Sequence, residues 1–270
     1  MSSQLIPKVL RPSDLFIAFS TKDDGNMLRT HDTRLVVHKN RTDFLKKYCI
    51  RSEDLFLIRT SHSPNIDVVE KNEDGYKRQT YLRSPAIATD FDHYYTGSDG
   101  AITFGQGLFI GLMSGDCVPL LLWERRSGMY GILHIGLLGA LNGMLRGLPH
   151  ILATSGVGLK DTEFYIGPSI TQRNYNISKS GLWKAIEAQI YSKIPDIGRF
   201  IARNPDGEYF DLQGVIVSQL LESGVDLVRI QRYEHCIADE ESIFISHNSL
   251  KKDGIRGNFL SVIGRKASNE

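Results

Sequence analysis

Ser114-Gly115-Asp116-Cys117-Val118-Pro119-Leu120-Leu121-Leu122-Trp123 and, shortly after it, Met129-Tyr130-Gly131-Ile132-Leu133-His134-Ile135-Gly136 carry most of the information in this chain. Each is an apolar run of strand length that meets small or reactive residues at one end. The strand before Ser114 runs into an acidic corner at Gly115-Asp116-Cys117. The strand ending at His134 passes through Gly136 into an apolar helical pattern starting at Leu137. Cys117 and His134 are seventeen residues apart, a separation compatible with two adjacent strands whose ends meet. Rigid strand ends beside glycine-rich turns hold side chains firmly and leave room for a ligand.

Outward from this stretch, short strand-like runs dominate: 16–20, 55–58, 66–69, 108–113, 118–123, 130–135, 163–166, 225–230 and 259–263. Helical spacing marks 137–152, then 182–194 after a capping Ser180, and 212–221, capped by Asp211 and ended by Gly224. Several strands follow one another without a helix between them, which disfavours a doubly wound parallel sheet. The expected architecture is α/β (α+β), a single domain over 1–270 with its core at about 16–264, built from mixed β-sheets layered with flanking helices. Segments 71–79 and 84–98 read as surface loops and 265–270 as a polar tail.

Composition narrows the function. The 32 Lys and Arg against 31 Asp and Glu leave a net charge of +1, so no broad basic face for nucleic acid or anionic membrane is expected. The start has no signal-peptide core, and the most apolar stretch, 107–123, is interrupted by Asp116, so a cytoplasmic protein acting on small molecules is the expectation. Three unpaired-looking cysteines, at 49, 117 and 236, argue against a disulfide framework. Cys49 closes an amphipathic segment with Phe44, Leu45 and Tyr48 and reads as a buried, inert thiol. Thr60-Ser61-His62-Ser63-Pro64 places a further histidine at the end of an apolar run, although a lone histidine there is more often a satisfied core or surface residue.

The ordered series Asp99-Gly100-Ala101-Ile102-Thr103, Gly115-Asp116-Cys117-Val118-Pro119, His134-Ile135-Gly136 and Gly167-Pro168-Ser169-Ile170 resembles the YfiH-type laccase-domain family. Phe19-Ser20-Thr21, Asn40-Arg41, Phe210-Asp211-Leu212, Leu220 to Val225, Cys236, Ser246-His247 and Gly257 to Ser261 extend the resemblance over residues 16 to 264. The resemblance implies a layered fold with mixed sheets and a zinc site whose ligand positions match His62, Cys117 and His134. Two imidazoles and a thiolate with a fourth position open are the donor pattern of catalytic rather than structural zinc. Copper is less favoured: Met113 could serve as an axial ligand, but the eight histidines are too scattered for a trinuclear cluster.

The resemblance further implies a purine nucleoside enzyme, catalysing phosphorolysis of adenosine- or inosine-type nucleosides or adenosine deamination, with nucleoside and phosphate as small-molecule partners. Two other classes stay open: a non-catalytic metal-binding descendant, and a metal-free Cys/His hydrolase, including peptidoglycan-precursor editing, with Cys117 as nucleophile. Asp116 is either a general acid or base or a tie for its turn. Ser246, Arg41 and Arg173 are candidate substrate-binding residues, while Cys236 and His247 are assigned supporting roles. Against the family pattern, arginines are missing at Leu138, Asn248 and Asn258, Lys22 replaces another, and Thr60 and Ser63 flank the first ligand in place of Gln and Gly. Weakened use of phosphate is therefore expected.

Overall fold

A computed structural model describes residues 14–28, 32–73, 75–81, 97–239, 241–248 and 257–266. Its strands are Leu15–Phe19 (β1), Leu55–Leu57 (β2), Ile66–Asn72 (β3), Gly75–Tyr81 (β4), Gly100–Thr103 (β5), Leu108–Ser114 (β6), Val118–Trp123 (β7), Tyr130–Ile135 (β8), Glu163–Ile166 (β9), Ile201–Asn204 (β10), Gly207–Phe210 (β11), Ile230–Arg232 (β12) and Phe259–Arg265 (β13). Among the described residues five α-helices accompany them: Arg34–Lys46 (α1), Leu137–Leu141 (α2), Met144–Thr154 (α3), Gly181–Lys193 (α4) and Leu212–Glu222 (α5).

Two mixed sheets form the body of the molecule. One runs β1-β13-β6-β2 and the other β12-β9-β7-β8-β5-β3-β4; β10 and β11 make a separate hairpin. The large sheet is parallel at β12/β9 and β5/β3 and antiparallel at its other pairings. Side-chain alternation along β7 explains the layering. Leu120 and Leu122 pack with α2 to α5 on one face, whereas Leu121 and Trp123 pack against Ile17, Ile110 and Phe259 of the smaller sheet on the other. Both faces of β7 are buried, so its sequence is continuously apolar rather than alternating. The outer face of the small sheet carries Ala18, Phe109 and Leu260 against Phe44 and Leu45 of α1. The order of layers is helix, sheet, sheet, helices, and the expected mixed α/β architecture is the one found.

Several local expectations are corrected. Residues 71–72 and 75–79 are strand, not loop: β3 and β4 pair in register from Ile66–Tyr81 to Asn72–Gly75. The outer strand of that hairpin is half-exposed at its ends and exposed at Lys77 to Gln79, so it lacks an apolar signature. The single helix expected at 137–152 is two, α2 and α3, broken where Gly143 takes φ +72°. The strand expected at 225–230 begins only at Ile230, because Leu227–Arg229 form a 3-10 turn with Leu227 and Val228 exposed.

Cys49 is exposed, not buried. It adopts φ +56° after α1, with its N–H on Lys46 O at 3.1 Å and the Ile50 N–H on Leu45 O at 3.1 Å. This double bond is the Schellman helix ending, in which the left-handed residue turns to solvent and the next one, here Ile50 at 5% exposure, packs inward. Of the other expectations, most of the loop assigned to 84–98 and of the tail lies outside the described residues. No described helix is long and apolar enough to cross a membrane.

Candidate metal centre

Strand pairing brings the first two donors together. Val118 pairs with Ile135 and Pro119 with His134, so Cys117, one residue before β7, sits at the same end of the sheet as His134 near the end of β8. His62 arrives from the small-sheet side, on the segment following β2, which is anchored where the Ile58 N–H bonds Gly111 O at 2.9 Å. The ligand atoms of His62, Cys117 and His134 all lie within 4.8 Å of one another, and no other group of three His, Cys, Asp or Glu meets that condition among the described residues. A β-carbon on Gly136 would lie 2.8 Å from Cys117 Sγ and 3.2 Å from His62 Cδ2, so the missing side chain is what lets the cluster close.

Asp99, given no role by the sequence alone, organises this cluster. It precedes β5, which pairs antiparallel with β8, and its 0%-exposed carboxylate accepts six hydrogen bonds. Oδ1 takes the N–H and hydroxyl of Ser61 and of Ser63; Oδ2 takes the His62 N–H at 2.9 Å and lies 2.7 Å from His134 Nδ1. His62 holds a left-handed backbone, φ +61°, costly for a residue with a side chain. The three successive N–H bonds onto Asp99 are what maintain it. On His134, a proton on Nδ1 facing Asp99 leaves Nε2 as the available lone pair, the arrangement a metal-ligating histidine needs.

The electrostatics suit a cation. Enclosure pushes the Cys117 thiol up, but the neighbouring His134 and His62 outweigh it and bring the group down to about 5. Burial depresses His134, and the Cys117 thiolate together with Asp99 raises it to about 10. A thiolate and two imidazoles converging with no fourth protein donor among the described residues fit a tetrahedral metal ion with one open position.

The cluster lines a cavity of about 300 Å³. Asp116, Asn248, Asn258, His247, Tyr175 and Met113 contribute further wall. Asp116 accepts Ser246 Oγ at 2.6 Å and Asn248 Nδ2 at 2.8 Å. Burial moves Asp116 up to about 7 despite those bonds. Its carboxylate therefore both lines the cavity and ties the loop at 246–248 to the turn. Ser246 is fully buried and acts through Asp116.

Arg41 does not line the cavity; its guanidinium bonds Met27 O at 2.6 and 2.8 Å and Met113 Sδ at 2.9 Å, supporting the wall. Arg173 points outward, 66% exposed, in an ion pair with Asp239. Cys236 is buried under Thr171 N–H and Asn174 Nδ2, each 3.3 Å from its sulfur. Leu138 belongs to the helical core, whereas Asn248 and Asn258 face the cavity. Lys22 binds Ser242 O at 2.6 Å. Tyr175 and Leu28, which also line the cavity, carry no local signal by which the sequence could have marked them.

Comparison with known proteins gives the family and the fold. A family model described as "Multi-copper polyphenol oxidoreductase laccase" matches residues 20–266. Purine nucleoside phosphorylase YlmD of Geobacillus stearothermophilus is 26% identical over 241 residues, 88% of this chain and 82% of that protein. Its crystal structure superposes with a TM-score of 0.76 at 24% identity, covering 94% of this chain and 93% of that one, and shows a shared fold. Adenosine deaminase RL5, from an unknown prokaryotic organism, is 24% identical over 73% of this chain and 71% of its own length. The match to purine nucleoside phosphorylase Rv2149c of Mycobacterium tuberculosis, at 25% identity, spans 62% of this chain and only 61% of that protein.

Proposed function

We propose that the chain, which belongs to the multi-copper polyphenol oxidoreductase laccase family, is a zinc-dependent purine nucleoside enzyme that favours adenosine deamination over phosphorolysis. The observation that carries this reading is the His62–Cys117–His134 cluster in the wall of a cavity whose described lining contains no lysine or arginine. The names of relatives, purine nucleoside phosphorylase and adenosine deaminase, supply the substrate class. Three ligands from one protein give copper no second cluster to work with, which favours zinc.

Bound zinc would supply Lewis acidity and one open coordination position. The rest falls to the chain. Asp99 fixes the tautomer and direction of His134 and holds the His62 backbone. Asp116, immobilised by Ser246 and Asn248, offers acceptor oxygens to a hydroxyl or amine of the nucleoside. Met113, Ile170 and Leu212 provide an apolar wall for a purine ring. Deamination needs only water: a C–O bond forms at the amino-bearing ring carbon, the C–N bond breaks, and ammonia leaves with the proton that water gives up. Phosphorolysis needs a dianion held beside the sugar, best done by guanidinium groups. Asparagine occupies two of the family's arginine positions here, at 248 and 258.

The test is metal analysis followed by incubation with adenosine and inosine, with and without phosphate. About one zinc per chain, lost in Cys117→Ala, is expected. Adenosine should convert to inosine independently of phosphate. Phosphate-dependent release of free base would overturn the preference, and zinc-loaded protein inert toward both nucleosides would overturn the enzyme reading. A second reading, Cys117 as nucleophile with His134 as its base, draws on the lowered thiol and raised imidazole. Activity of rigorously zinc-free protein would favour it.

A further inference from the structure

A second cavity, of about 620 Å³, lies across the segment that carries His62. Thr60 lines both cavities; Arg59 and Ser61 line the second and His62 the first. The hairpin β3–β4 supplies the opposite wall, with Asp67 and Arg78. Asp67 is 2% exposed. Its Oδ1 accepts Thr80 Oγ1 at 2.6 Å and Ser98 Oγ at 2.7 Å. Among the described residues, the one cation near its Oδ2 is Arg78 Nη1, at 3.8 Å, beyond hydrogen-bond range. Arg59, exposed, has no ion-pair partner among the described residues. The cavity therefore combines one exposed guanidinium with no ion-pair partner among the described residues, Arg59, with a second, Arg78, held only by a 3.8 Å ion pair to a deeply placed carboxylate oxygen that accepts no hydrogen bond from it.

Each half states what it lacks. A buried acceptor without a donor is costly, and a ligand hydroxyl would satisfy it. Guanidinium groups lining one cavity match an oxyanion, phosphate best of all. A ligand meeting both demands carries a hydroxyl close to a phosphate, which is the chemistry of a sugar phosphate. Ser98 and Asp99 are adjacent, the first holding Asp67 and the second His134, so one rigid framework serves both cavities.

We propose that this second cavity binds the sugar-phosphate end of the substrate, which is then a nucleoside 5′-monophosphate, with its base in the metal cavity. Arg59 and Arg78 contact the phosphate and Asp67 accepts from a ribose hydroxyl. The inference rests on the purine reading above and extends it from nucleoside to nucleotide.

Calorimetric titration of the zinc-loaded full chain with adenosine, adenosine 5′-monophosphate and ribose 5-phosphate tests it, in the wild type, in Arg59→Ala and Arg78→Ala, and in the double variant. Both are changes at exposed side chains, so folding is retained. The monophosphate should bind about tenfold or more tightly than adenosine, and each variant should lose most of that ratio. Equal binding of the two by the wild type, or an unchanged ratio in the double variant, would overturn the inference and leave the nucleoside reading intact. If adenosine neither binds nor reacts, the purine reading fails by itself. Ribose 5-phosphate then decides the cavity separately: binding that weakens in both variants supports it, and no binding refutes it.

Discussion

Replacing Asp99 with Asn changes one atom at the centre of the metal cluster, and the surrounding hydrogen bonds dictate the cost. The amide must turn its NH2 either toward Oδ1's partners or toward those of Oδ2. In the first orientation it confronts the N–H groups of Ser61 and Ser63, at 2.9 and 2.8 Å, leaving buried donors unsatisfied at about 1–3 kcal/mol each. In the second it confronts His62 N–H at 2.9 Å and His134 Nδ1 at 2.7 Å. His134 can then answer by moving its proton to Nε2, which removes the lone pair needed for zinc. Either way an oriented ligand is lost, and outer partners of this kind are worth about 10–100-fold in metal affinity. Competition with a chromophoric chelator measures the affinity. Nitrogen-detected NMR of the histidine ring reports the tautomer, and a melting curve reports stability, which should fall by about 2–4 °C per kcal/mol lost. An Asp99→Asn protein that holds zinc as the wild type does, with His134 still protonated on Nδ1, would refute the claim that Asp99 organises the site.

Three further outcomes are expected. In zinc-free protein carrying Cys49→Ser, Cys117 should alkylate rapidly at pH 6 to 7; the reactivity should fall only as pH drops through about 5, and zinc should protect it. A reaction whose midpoint lies at the ordinary thiol value of about 8.5 would contradict the lowered acidity. Gly136→Ala places a methyl group 2.8 Å from Cys117 Sγ while its backbone, at φ −92°, stays comfortable. Zinc affinity should drop with little change in the melting temperature of metal-free protein, and retention of full affinity would show that the cluster is not closely packed. Cys49→Gly should stabilise the chain by up to about 1 kcal/mol, because glycine pays no penalty at φ +56° and no buried thiol is lost. A lower melting temperature would mean that Cys49 packs after all.

The strand ends that meet at the site were legible from local sequence. Val118–Trp123 and Tyr130–Ile135 are apolar without alternation because both faces of their sheet are covered, and that pattern locates buried strands. The helix caps at Ser180 and Asp211 were equally readable, since each side chain accepts a backbone N–H three residues on, from Trp183 and Gly214. His62 stood out only weakly by pattern, as a histidine ending an apolar run, and its place as a ligand came from resemblance, because its segment contains no regular element. Arg41 shows the opposite failure. A cation near a matched motif suggested substrate binding, yet the carbonyl of Met27 occupies its guanidinium, and only the folded path of the chain places that carbonyl there.

Donor chemistry and strand periodicity are properties of residues and their near neighbours, so the sequence by itself determined a layered mixed-sheet protein with an imidazole and a thiolate at adjoining strand ends. Asp99 is different. It reaches His134 because β5 lies beside β8, and it reaches Ser61 to Ser63 because the small sheet delivers that segment over the large one. The Arg59–Asp67–Arg78 cavity likewise exists only between the segment after β2 and the β3–β4 hairpin. These arrangements were decided by tertiary structure, because a carboxylate's partners depend on which strands become neighbours, and that order is settled by the packing of whole sheets, not by any short stretch of chain.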